Sequence, residues 1–243
     1  MTLEPLRRGT VVLDGKTYLI GNWKCNKGLD QVYSWFDTFA RCFQPVAGLE
    51  VLIAPPMIWL GQCRDYIAEK NIAGLGLVAQ DLSPFPSGSY TGAVSADMIK
   101  GIARFALVGH SERRRYFHET SQDVTNKVSE AEDAGITPVV CVDKAYAMSQ
   151  LVALNALNGE RMIIAYCPTG TLAYREPESI ESVTEAVSFL SGIVAGQPIV
   201  YGGAITAGNS RRYRDVDGLS GLFVGAASLD AEEFCRICRN FSV

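Results

Sequence analysis

The feature that most constrains this chain is one alternation, repeated from near its start to its end. Short β-branched or apolar runs recur at 18–22, 51–54, 75–80, 105–109, 137–142, 162–166, 198–202 and 221–225. Stretches with apolar residues at helical spacing follow them, such as Val32, Trp35, Phe36 and Phe39, or Val183, Ala186, Val187 and Leu190. Eight strand-then-helix units in 243 residues fit a (β/α)8 barrel by length and by alternation. A doubly wound open sheet shows the same alternation, and pattern alone does not separate the two. No linker, low-complexity tract or charge block divides the chain, which reads as a single α/β domain.

Composition narrows the function. The net charge of −4 leaves no broad basic surface for nucleic acid. No stretch approaches the roughly 20 uninterrupted apolar residues of a membrane span, and the first residues lack the apolar core of a signal peptide. A cytoplasmic protein is the expectation. Seven cysteines, an odd count spread along the chain, suggest reduced thiols rather than a disulfide framework. Cys235-Arg236-Ile237-Cys238 spells a CxxC, but it lies in an amphipathic terminal stretch with no second cysteine pair, so it reads as a helix face. Only His110 and His118 are histidines, which excludes a histidine-rich metal centre. No metal or cofactor is expected.

In either architecture the chemistry belongs at the carboxyl ends of the strands. The first strand ends in Asn22-Trp23-Lys24, which would turn a fixed cation toward an anionic substrate. The fourth ends in Gly109-His110-Ser111-Glu112-Arg113-Arg114, where a histidine meets a helix start that favours the neutral imidazole. The sixth ends in Ala165-Tyr166-Cys167-Pro168, an apolar run stopped by a proline, with one thiol at its mouth.

These segments resemble the triosephosphate isomerase family. Further matches follow in order: Ala79-Gln80-Asp81, Tyr90-Thr91-Gly92, Val139-Val140-Cys141-Val142, Tyr201-Gly202-Gly203 and Phe223-Val224-Gly225-Ala226-Ala227-Ser228. The resemblance implies a (β/α)8 TIM barrel over 17–243, behind an N-terminal extension of 1–16 with a Leu13-Asp14-Gly15-Lys16 turn. It implies isomerisation of a small phosphorylated sugar, in glycolysis and gluconeogenesis. The family is itself a standard example of a glutamate base working with a neutral histidine, and the roles below are taken over with the resemblance. Lys24 would meet the substrate's oxygens and phosphate, and Asn22 would help to orient it. His110 would polarise the carbonyl, and Glu112 would pair with Lys24. Gly170, Gly203, Ala204, Gly225 and Ala226 fall at the family's lid and phosphate-binding positions.

Several positions depart from the family pattern. Cys167 stands where the family has its glutamate base; its side chain is shorter by about 2 Å, and a base must come within hydrogen-bond reach of its proton. The lid after Pro168 is about three residues short and lacks its tryptophan, ending where Pro177 is read as the start of the next helix. Ala204 replaces a serine, Ala226 the second glycine of a pair, and Asp143-Lys144 a Gly-Glu. Three readings follow: a diverged isomerase in which Glu176 or Glu178 could serve as base, a binding paralogue without catalysis, or an ordinary isomerase altered by substitution. Residues 82–92, from Leu82 to Tyr90-Thr91-Gly92, resemble the projecting loop through which family members form homodimers, with Cys25 in the partner's socket.

Overall fold

The computed structural model describes residues 15–156, 161–170, 176–194 and 196–241. Its strands are β1 (Thr17–Asn22), β2 (Leu49–Ala54), β3 (Leu75–Ala79), β4 (Phe105–Val108), β5 (Thr137–Val142), β6 (Ile163–Tyr166), β7 (Ile199–Tyr201) and β8 (Leu219–Val224). All pair in parallel with their neighbours in sequence, and β1 also pairs with β8, so the sheet closes on itself. That last ladder is what an open sheet lacks. It depends on Gly221, because a Cβ there would lie 1.8 Å from the Tyr18 carbonyl oxygen.

Side chains alternate along each strand. On β6, Ile163 and Ala165 point into the barrel with Leu52, Val78, Leu107 and Val200, and Cys167 follows them. Ile164 and Tyr166 point outward into the layer shared with the helices. Those helices are α1 (Leu29–Cys42), α2 (Leu60–Glu69), α3 (Ala96–Ile99), α4 (Ser111–Tyr116), α5 (Ser121–Asp133), α6 (Lys144–Ala156), α7 (Ile180–Ile193), α8 (Ala207–Ser210) and α9 (Ala231–Phe241). The residues read at helical spacing form the buried faces: Val32, Trp35, Phe36 and Phe39 on α1, and Val183, Ala186, Val187 and Leu190 on α7.

Three expectations are corrected. The third unit has only the four-residue α3, because the chain after β3 runs as a loop through residues 80–95. Helix α7 starts at Ile180 and not at Pro177; Ser179 is its cap, its hydroxyl accepting the Ser182 amide at 3.2 Å, and a side-chain acceptor at that position stabilises a helix start. The cysteines are not all reduced. Cys42 at the end of α1 and Cys235 on α9 form a disulfide with Cα atoms 6.2 Å apart. The reason is packing: α1 and α9 lie against each other through Phe39 and Phe234, whose ring centroids are 6.2 Å apart. That brings together two residues separated by 193 positions. Cys235 and Cys238 are both buried on α9, the helix face read from sequence. The extension is outside the described residues up to position 14.

Candidate active site

Lys24 leaves β1 with φ +52°, a backbone conformation that costs a non-glycine residue about 1–2 kcal/mol. Hydrogen bonds hold it there. Its amide donates to Asn22 Oδ1 at 2.9 Å, and Gln80 Nε2 donates to its carbonyl at 2.8 Å. Asn22, buried at the strand end, therefore positions Lys24. The Lys24 ammonium lies 2.6 Å from Glu112 Oε1, the ion pair that the resemblance implied.

His110 caps α4. Its Nδ1 accepts the Glu112 amide at 3.2 Å, which places the proton of the neutral ring on Nε2. Burial lowers its pKa to about 4; Glu112 opposes the shift and Lys24 adds to it. The imidazole is neutral at pH 7, a hydrogen-bond donor rather than a cation. Before it, Gly109 turns at φ +73° and donates its amide to Glu119 Oε1 at 2.9 Å. Glu119 belongs to a buried ionic cluster with Asp81, Arg113 and Lys127. Burial raises the Glu119 carboxyl, but hydrogen bonds from Lys127 and Arg113 outweigh it and leave the pKa lowered.

Lys24, His110 and Cys167 share one cavity of about 500 Å³, whose wall also includes Ala204, Gly225 and Ala226. Ala204 sits there at φ +48°. The Gly225–Ser228 turn is fixed by two indoles, Trp23 and Trp35, which donate to the Ser228 carbonyl at 3.1 and 3.0 Å. Above Gly225 the first neighbour a Cβ would meet is Lys24 Cε at 3.9 Å, so backbone and ammonium stem face a common space. A cation, exposed backbone and a neutral imidazole donor converge on it, an arrangement suited to an anionic substrate that carries a carbonyl.

Cys167 is buried and lines the same cavity as His110. Its amide donates to Val142 at 2.8 Å, and Gly202 packs closely, a Cβ there lying 3.0 Å from Sγ. Behind it, on β5, contact with Cys167 and then burial push the Cys141 thiol well up, so Cys141 stays protonated.

Other expected residues fall elsewhere. Gly203 lies beneath the Tyr201 hydroxyl, 2.2 Å from where its Cβ would be, and is not on the cavity wall. Gly170 is exposed, and the lid positions Thr171 to Arg175 are outside the described residues. Glu178 is engaged elsewhere: its carboxylate accepts the outward-facing Tyr166 hydroxyl at 3.0 Å. Glu176 is exposed, and neither glutamate lines the His110 cavity. Sequence reading missed Ile205 and Thr206 on that wall, and gave Phe223 no role beyond its place in the Phe223–Ser228 segment. The first two follow Gly203-Ala204, so adjacency to a motif was the signal available.

A family model described as triosephosphate isomerase matches residues 17–241. The chain is 32% identical to a triosephosphate isomerase of Dehalococcoides mccartyi, covering 93% of this chain and 96% of that protein. It is 34% identical to one from Stenotrophomonas maltophilia (90% and 95% covered), and 31% identical to one from Polynucleobacter asymbioticus (91% and 98%).

Proposed function

The chain belongs to the triosephosphate isomerase family, and from that premise we propose that it performs aldose–ketose isomerisation of a small phosphorylated sugar, with altered or impaired activity. The substrate type is dihydroxyacetone phosphate and glyceraldehyde 3-phosphate. The observation that carries this reading is the shared cavity of Lys24, neutral His110 and Cys167. The Nε2 proton of His110 donates to the carbonyl oxygen and stabilises the charge that develops as the adjacent carbon loses its proton. Lys24 balances the anion, held at 2.6 Å by Glu112 and tied in place through Asn22. The phosphate lies toward Gly225 and Ala226. Cys167 occupies the position from which a base would act, with the shorter reach of a thiol.

One observation favours a second reading, a barrel that binds such a ligand without isomerising it. Among the described residues, no carboxylate lines the cavity that holds His110. Interconversion of the two triose phosphates, measured for the protein and for Cys167→Glu, separates the readings. Restoring a positioned carboxylate is expected to raise kcat by about 10²–10⁴-fold, the usual worth of general base catalysis. A glutamate variant no faster than the parent chain sinks the idea that the missing carboxylate limits the reaction.

The reading includes a homodimer through residues 82–92. Support comes from Phe85 and Tyr90, exposed rings stacked at 4.6 Å on that loop, and from Cys25, which is also exposed. Sedimentation as a monomer at micromolar concentration would overturn it. It also includes a cytoplasmic location; the free thiols of Cys25, Cys63, Cys141, Cys167 and Cys238 fit it, and the Cys42–Cys235 disulfide is the exception.

A further inference from the structure

A thiol that faces a carbonyl group has two reactions open to it: taking a proton from the adjacent carbon, or adding to the carbonyl carbon itself. As a base Cys167 is short, and a thiol is little ionised at neutral pH, whereas cysteine is intrinsically very nucleophilic. Its position suits addition. Cys167 keeps 5% of its surface open on the wall of the Lys24–His110 cavity, while Ala165 and Tyr166 before it keep 0% and 1%. Gly202, on the same wall, has no side chain to cover the sulfur; a Cβ there would lie 3.0 Å from Sγ and 2.9 Å from the Phe223 ring.

A nucleophile needs a donor for the oxygen of its target, and His110 supplies one. The Glu112 amide at 3.2 Å and the Glu112 carboxylate at 3.7 Å both face Nδ1. The Nε2 proton is left for a ligand in the cavity whose wall His110 shares with Cys167. Lys24, on that wall too, supplies the cation for an anionic substituent. Behind the sulfur lies a second thiol of the barrel interior, Cys141. Contact with Cys167 is the first cause that pushes the Cys141 thiol up, so Cys141 keeps its proton as a weak S–H donor toward its neighbour. Nucleophile, oxygen donor and cation thus border one space.

We infer that Cys167 is a nucleophile that captures the aldehyde form of a small phosphorylated ligand as a hemithioacetal. This rests on the reading that a phosphorylated carbonyl compound occupies the Lys24–His110 cavity. The Sγ–carbon bond forms as the carbonyl π bond breaks, and that electron pair goes to the oxygen. The oxygen takes the Nε2 proton of His110, and the thiol proton replaces it on the ring. One thiol and one aldehyde give one hemithioacetal, with nothing oxidised or reduced and no further reactant. A ketone, less electrophilic and bearing a second carbon substituent, is not held in this way. The adduct therefore favours the aldose isomer over the ketose.

The test is carbon NMR of the protein with glycolaldehyde phosphate that carries an isotopic label at its carbonyl carbon. This aldehyde has no free hydroxyl on the adjacent carbon and so cannot undergo aldose–ketose isomerisation. On binding, the aldehyde and hydrate signals are expected to give way to one signal of a saturated carbon bonded to sulfur and oxygen. Cys167→Ala abolishes that signal, as does Cys167→Ser, the milder change should the alanine variant not fold. Calorimetry with the same compound and with 2-hydroxyethyl phosphate, its alcohol counterpart, reports occupancy independently. Binding with the labelled carbon still an aldehyde or hydrate overturns the inference and leaves the isomerase reading standing. An imine signal, or a sulfur-bonded one that persists in Cys167→Ser, places the adduct on another side chain and also overturns it. No binding of either compound overturns the inference together with the phosphate site on which it rests.

Discussion

A histidine buried between a lysine and an aromatic ring binds a proton more weakly than the same histidine in the unfolded chain. For His110 the two values are about 4 and 6.5. Between those pH values the unfolded state takes up a proton and the folded state does not, so stability falls as pH falls through that window and is fully retained above it. Over the step from pH 7 to pH 5 the loss attributable to His110 is about 2 kcal/mol, at 1.36 kcal/mol per unit. Urea unfolding at both pH values, compared with His110→Gln, measures it: the variant is expected to lose about that much less. Identical pH dependence in the two proteins would show that the imidazole is not held neutral by its surroundings. This residue was legible from sequence because it sits at a strand end inside a dense polar motif. Its neighbour Ser111 was not. An unpaired hydroxyl is defined by what surrounds it in space, and nothing in the order of residues shows that the Ser111 hydroxyl is buried without a hydrogen-bond partner.

The turn from β4 into α4 holds His110, and the ionic cluster beneath it sets the geometry of that turn. Lys127 on α5 is buried, bonding to Asp81 at the end of β3 and, at 2.6 Å, to Glu119, which in turn accepts the Gly109 amide. Replacing Lys127 by methionine leaves the buried Glu119 and the half-buried Asp81 carboxylates to share Arg113. Breaking a buried pair in this way typically costs about 3–5 kcal/mol. An unfolding free energy from urea titration lowered by that amount, with unfolding still cooperative, is the expected result for Lys127→Met; an unchanged value would mean that the cluster contributes nothing net. Helical spacing did reveal the inner faces of α1 and α7, because each is decided by residues within four positions of one another. The cluster escaped the same reading because its members come from the loop after β3, from α4, from α5 and from the segment between those helices. The brevity of α3 escaped too, since the loop before it takes the residues a full helix would need.

Alternation along the chain could not distinguish a closed barrel from an open sheet, because the contact that decides it joins the first strand to the last. Motifs in family order supplied that step, and the β1–β8 ladder bears it out. Closure has a second consequence, one that counting cysteines pointed away from. It sets α9 against α1 and so brings Cys235 to Cys42, closing a covalent loop around most of the barrel. A cross-link over so long a segment restricts the unfolded chain, and such bonds typically stabilise by about 2–4 kcal/mol. Thiol titration of the denatured, unreduced protein is expected to give five reactive groups, the free cysteines, and seven after reduction. Unfolding under reducing conditions should shift the midpoint down by the bond's worth, and Cys42→Ala should show the lowered midpoint without reductant. Seven reactive thiols before reduction would mean that the pair stays reduced, as a cytoplasmic environment favours. Cys42 and Cys235 would then act as two packed side chains, and the α1–α9 contact would rest on Phe39, Phe234 and their neighbours alone.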